Sequence, residues 1–159
     1  MKTALWFIGM LLLWGCTVAL GQDASQPSQK SQNDTLVVII NEVFPLGEEL
    51  TARDIKDIYL GKKQVYHKVR LLPTNRSDET LQETFLQAYV GKSVKQFRNY
   101  WRRKVFSRGG QAPEVFDDLR QLIAYIADNE GAIGYAWKHE LSGKEKHIRV
   151  LTVATEEKK

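Results

Sequence analysis

"VRLLPTNRSDETLQETF", Val69 to Phe85, decides how the chain is read. Its first half is apolar and reaches a proline. Its second half sets Leu81 and Phe85 at helical spacing. Between them stand Asn75, Arg76, Ser77, Asp78 and Thr80, so a strand runs into a helix through a polar corner. That corner has two readings. In one, Ser77 or Asp78 caps the helix and Arg76 is a solvated side chain. In the other, the corner holds an oxyanion such as phosphate. The first helical turn leaves amides unpaired and carries partial positive charge. Arg76 adds a planar fork that grips two oxygens, and Ser77 and Thr80 add hydroxyls. Asp78 and Glu79 count against the second reading, because carboxylates repel a dianion unless one accepts its remaining proton.

Upstream, "TLVVII" (Thr35–Ile40) is a β-branched apolar run, predicted to be a central strand covered on both faces. A loop with Pro45 and Gly47 follows. A short helix then begins at Thr51, with Asp54 at capping-box spacing and Ile55, Ile58 and Tyr59 on one face. "KVRLLPT" (68–74) is the second strand, and the helix after it is predicted over 79–90, ending at Gly91. Ser93 caps a third helix, "VKQFRNYWRRKVFS", with Phe97, Tyr100, Trp101 and Val105 as its stripe. "EVFDDLRQLIAYIADNEG" (114–131) is predicted as a fourth helix, with Leu119, Leu122, Ile123 and Ile126 inward. "AIGYAW" and "HIRVLTV" are the last strands. Alternating strands and helices, with strands that are not amphipathic, predict a three-layer α/β domain with a mainly parallel sheet. Ligands of such sheets sit beyond the carboxyl ends of the strands.

The first 21 residues read as a secretory signal peptide: Lys2, an apolar run, then small residues before Gln22. "LWGC" (13–16) also resembles a lipobox, which would make Cys16 a lipidated first residue and the signal 1–15. Trp14 is bulkier than that motif usually allows, so ordinary cleavage is preferred. A retained membrane anchor is disfavoured, because the run is shorter than a span. Residues 22–34 are Gln/Ser-rich and read as a flexible leader, 35–154 as one domain, and 155–159 as a polar tail. Cys16 is the single cysteine, so the mature domain has no disulfide and no cysteine-based metal site. Cleavage after residue 21 removes one charge, Lys2, and takes the formal net charge from +4 to +3. That suits small anions and is too little for nucleic acid without a clustered patch.

Three stretches in order carry a family resemblance. "LVVIINEVFPLGEELTARDIKDIYLGKKQVY" resembles the strand-to-helix segment of phosphate-type periplasmic substrate-binding proteins of ABC transporters. "NRSDETLQETF" stands where that family has an Arg-x-x-Gly-Ser-Gly-Thr anion loop. "EGAIGYAW" is similar to its Gly-(Ala/Ser)-Ile-Gly-Tyr strand. "GKSVKQFRNYWRRKVFSRGGQAP" also resembles the middle of short, stand-alone members. The likeness covers residues 36 to about 151. It implies one lobe of a type 2 periplasmic binding protein, located in the periplasm, with Arg76, Ser77, Asp78 and Thr80 as the phosphate or oxyanion contacts and Asp78 accepting a protonated oxygen. The family's glycines, which let amides close on the anion, are absent from "SDET". A single lobe also leaves the ion wet on one side, where attraction is weaker. Binding is therefore expected to be weak, lost, or completed by a second chain in a homodimer.

Other chemistries find little support. His67, His139 and His147 lack metal-ligand spacing, and no Gly-x-Ser-x-Gly, Walker or His-Glu-x-x-His pattern occurs. Ser77 has no evident base. The expectation is a non-enzyme without cofactor or metal. The basic third helix invites a nucleic-acid reading, but its aromatics fall at core spacing, Arg98, Arg102 and Arg103 suit a solvated face, and an export signal argues against that partner. Anionic glycan or lipid headgroups remain open for that face. Asn33-Asp34-Thr35 and Asn75-Arg76-Ser77 match glycosylation acceptors, incidental if the bacterial resemblance holds. Expected partners are inorganic phosphate or a similar oxyanion and a membrane permease or envelope protein, in phosphate uptake or sensing. The rival is an envelope interaction or sensory module that kept the fold and lost the anion site.

Overall fold

A computed structural model describes residues 35–46 and 49–153 of the chain. The expected export signal with Cys16, the expected leader and the expected polar tail lie outside the described residues. No described helix is long and apolar enough to cross a membrane.

The elements run β1 (Leu36–Asn41), α1 (Ala52–Tyr59), β2 (Val65–Tyr66), β3 (Val69–Arg70), β4 (Leu72–Arg76), α2 (Glu79–Phe85), α3 (Val94–Arg108), β5 (Glu114–Phe116), α4 (Leu119–Asp128), β6 (Ala132–Trp137) and β7 (Ile148–Leu151). The main sheet has the order β5-β4-β6-β1-β7. β4 is parallel to β5 and β6, while β1 is antiparallel to both β6 and β7. Four strands thus share one direction and β1 alone is reversed, so the sheet is mainly parallel with one inserted strand of opposite sense.

Alternation along β1 and β6 builds the three layers. Val38, Ile40, Ile133 and Tyr135 face a core shared with α1, α2 and α3. Ile39, Ala132 and Ala136 face the smaller core under α4, with Leu122 and Ile126. Both faces of β1 are therefore covered, as its unbroken apolar run requires. The α4 side of β6 reads Ala132, Gly134, Ala136 because the helix packs close. A Cβ on Gly134 would stand 2.6 Å from Thr74 Oγ1 and 3.0 Å from the Ile126 side chain. Asn41, at the end of β1, ties the sheet to that helix: its amide donates to the Ile126 and Ala127 carbonyls at 2.9 Å each.

The caps follow the sequence. Thr51 and Asp54 form a reciprocal capping box on α1, and Ser93 and Gln96 form one on α3. Gly91, with φ of 70°, ends the second helix, whose last turn (Leu86–Val90) widens to a π-turn.

Three expectations are corrected. "EVF" is not the start of the fourth helix. It is β5, pairing with Thr74–Arg76, and Asp118 caps α4 by accepting from the Arg120 and Gln121 amides. "KVRLLPT" divides into β3, which pairs with β2 in a hairpin, and β4, which enters the main sheet. Val105 leaves the α3 stripe: it is 39% exposed, while Phe97 and Trp101 are buried.

Candidate functional site

β4 pairs with β6 through Leu72 and Pro73, then with β5 through Thr74 to Arg76. Pro73 has no N–H to give a ladder, and this change of partner accommodates it. Further along, a phenol stands in for β6 backbone: Tyr135 Oη accepts from the Arg76 amide at 3.3 Å and donates to Asn75 Oδ1 at 3.2 Å. Burial pushes this phenol well above its ordinary range. The Arg76 amide and guanidinium pull it partly back, and the Asp78 carboxylate pushes it up. It therefore stays protonated and holds the end of β4 in place. Phe85 of α2 stacks on the ring at 3.9 Å between centroids and 7° between planes.

Arg76 occupies this strand end and is 7% exposed. Its Nε and Nη1 are buried with no hydrogen-bond partner among the described residues. Its Nη2 lies 3.5 Å from Glu140 Oε1, longer than the ~2.8 Å of a strong charged bond. The other Glu140 oxygen accepts from the Trp137 amide at 3.0 Å. Nη2 belongs to both planar forks of a guanidinium. Whichever fork took an oxyanion, the ligand would compete with Glu140 there and gain one nitrogen that has no other partner among the described residues.

Ser77, Asp78 and Thr80 lie on the exposed rim beside Arg76. The Ser77 amide donates to the Phe116 carbonyl at 3.1 Å. Asp78 caps α2: its Oδ1 accepts from the Thr80 and Leu81 amides at 2.9 and 3.0 Å. Those two amides, which the oxyanion reading assigned to a ligand, are thus satisfied internally. The corner's attraction for an anion rests on the guanidinium and the two hydroxyls.

A groove of about 520 Å³ opens beside Arg76. It is walled by the end of β4, by α2, by α3 and by the 112–115 stretch, and its floor includes the buried Phe97 and Trp101. Arg98 and Arg102 line it too, so part of the basic face of α3 turns toward the groove rather than only to solvent. Sequence reasoning missed Glu140 and the role of Tyr135. Glu140 lies 64 positions from Arg76 and has no local signal. Tyr135 sits in "AIGYAW", the strand motif that carried the resemblance, and that was the available clue.

No protein-family model matches the chain, and no curated protein matches it in sequence. Solved structures share its fold. One is a Clostridium perfringens protein described as a phosphate ABC transporter substrate-binding protein with bound phosphate (TM-score 0.57, 20% identity, covering 76% of this chain and 45% of that one). Another is an ABC-type phosphate transport receptor from Vibrio cholerae (TM-score 0.55, 13% identity, 76% and 46%). A third is PstS from Borrelia burgdorferi (TM-score 0.57, 16% identity, 77% and 48%). The chain spans less than half the length of each. Four strands of common sense, one reversed strand and helices on both faces give it the α/β fold of one lobe of the phosphate-type substrate-binding proteins.

Proposed function

We propose that the protein is exported and captures an oxyanion, phosphate foremost, as a non-enzymatic solute-binding protein in phosphate uptake or sensing. Arg76 is the principal contact. The Ser77 and Thr80 hydroxyls assist from the rim, and Asp78 accepts from a protonated ligand oxygen. A permease or another envelope protein would act on the captured ion. The signal of residues 1–21, or 1–15 if Cys16 is lipidated, supplies the export route.

One observation carries this reading: Arg76 is nine-tenths buried, two of its guanidinium nitrogens have no hydrogen-bond partner among the described residues, and it lines an open groove. Leaving charged donors desolvated and unpaired is costly, and structures retain such groups at sites of recognition. The place fits as well, at the carboxyl end of a strand in an α/β sheet. Binding is expected to be weak, because the α2 amides are already engaged by Asp78 and the groove is open to water.

Calorimetric titration with phosphate and sulfate tests this. Heat that saturates in the micromolar to millimolar range is expected. Glu140→Gln removes the negative competitor at Nη2 and is expected to tighten binding by about tenfold, from charge repulsion at an effective dielectric of a surface site. No heat at millimolar ligand from protein that is folded by circular dichroism would refute solute capture.

A further inference from the structure

The groove is larger and more apolar than an inorganic anion requires. Its volume, about 520 Å³, falls in the range of pockets that take drug-sized organic ligands. A tetrahedral ion at Arg76 touches only one corner. Away from that corner the walls are hydrocarbon: Val94, Phe97, Trp101, Val105, Phe106 and Val115. Three of these are unusually open to water, with Phe106 at 86%, Val115 at 58% and Val105 at 39% exposure. The charged wall residues are cationic except for Glu79, whose carboxylate lies 3.7 Å from Arg98. An apolar trough with positive charge at one end and along one side is complementary to an anionic head carrying an apolar body.

On the reading that Arg76 seats an oxyanion, we propose that the site takes free phosphate but prefers an organic phosphomonoester. The phosphoryl head sits at Arg76. An aromatic or branched substituent lies along α3 against Val105, Phe106 and Val115. Arg98 and Arg102 set the sign of the approach. The ester gains what inorganic phosphate cannot, the removal of these three side chains and its own substituent from water.

Titration of the purified protein with inorganic phosphate, naphthyl phosphate and naphthol tests this. Naphthyl phosphate is expected to bind at least about tenfold more tightly than phosphate, and naphthol alone more weakly than the ester. Phe106→Ser with Val115→Ser changes two exposed side chains, so the fold is kept. It is expected to erase the preference while leaving the phosphate dissociation constant within about twofold. Phosphate binding as tightly as the ester overturns the organic ligand and leaves oxyanion capture at Arg76 standing. An ester preference that survives the double substitution also overturns it. A concentration-dependent dimer, lost in the double variant and with no ester preference, would assign the groove to a second copy of the chain. Binding of neither phosphate nor ester removes oxyanion capture and this proposal together.

Discussion

Arg76→Met is expected to abolish oxyanion binding while leaving the ligand-free fold no less stable than the parent in urea unfolding, because Glu140 keeps another partner and access to water. The two halves of this result follow from one geometry. Arg76 is 7% exposed, two of its guanidinium nitrogens lack partners among the described residues, and its ionic contact with Glu140 is long at 3.5 Å. Desolvation is then poorly offset in the unliganded protein, and a flexible apolar side chain of similar length removes that cost. Glu140 is not stranded by the change. It keeps its bond to the Trp137 amide, and its side chain is 24% exposed, so water can take over its other oxygen. A residue kept at a cost to stability is the mark of a functional site. A loss of more than about 1 kcal/mol on Arg76→Met would instead mark Arg76 as a structural ion-pair residue.

Phe85→Ala is expected to cost about 3–5 kcal/mol, a large share of the ~5–15 kcal/mol that holds a domain of this kind together. Phe85 is fully buried and lies at the centre of an aromatic group. It stacks on Tyr135 and meets Tyr59 at 4.6 Å and Tyr89 at 5.2 Å between centroids. Truncation leaves a cavity among rings that are themselves pinned, Tyr59 through its hydroxyl to the Thr74 carbonyl at 2.9 Å and Tyr135 to Asn75. Little collapse is available, so the cost should lie toward the upper part of that range. The same change loosens the phenol that holds the Arg76 amide, and anion affinity should fall with stability. Urea unfolding at neutral pH reads the effect. A loss below about 1 kcal/mol would mean that this aromatic group is not the keystone of the larger core.

Local signals made much of the fold legible. The β-branched run of β1, the capping boxes at Thr51 and Ser93 and the stop at Gly91 each combine composition with a fixed spacing. What escaped was non-local or unusual in its turn chemistry. β5 has only three residues, and its strand character comes from pairing with Thr74–Arg76, about forty positions earlier. The β2–β3 hairpin turns through His67 and Lys68, both at positive φ (46° and 70°), where glycine or asparagine usually announces the turn. At the site, residue type and position pointed to Arg76, Ser77 and Thr80, and the resemblance added Asp78 as an acceptor. The burial of Arg76 could not be read, because the groups that meet it, Tyr135 and Glu140, lie about sixty positions further along the chain. The exposure of Val105 was missed for a related reason. The stripe on α3 predicts which face is apolar but not that part of it borders an open groove.

The most direct test of anion capture at Arg76 is the ¹H–¹⁵N resonance of its Nε–H, assigned by its absence from the spectrum of Arg76→Lys. On titration with phosphate at constant ionic strength, this cross-peak is expected to shift progressively and saturate, while an equal concentration of chloride leaves it in place. A cross-peak that stays fixed through millimolar phosphate and millimolar naphthyl phosphate, in a protein whose other resonances report the native fold, would contradict the assignment of Arg76 as an oxyanion contact.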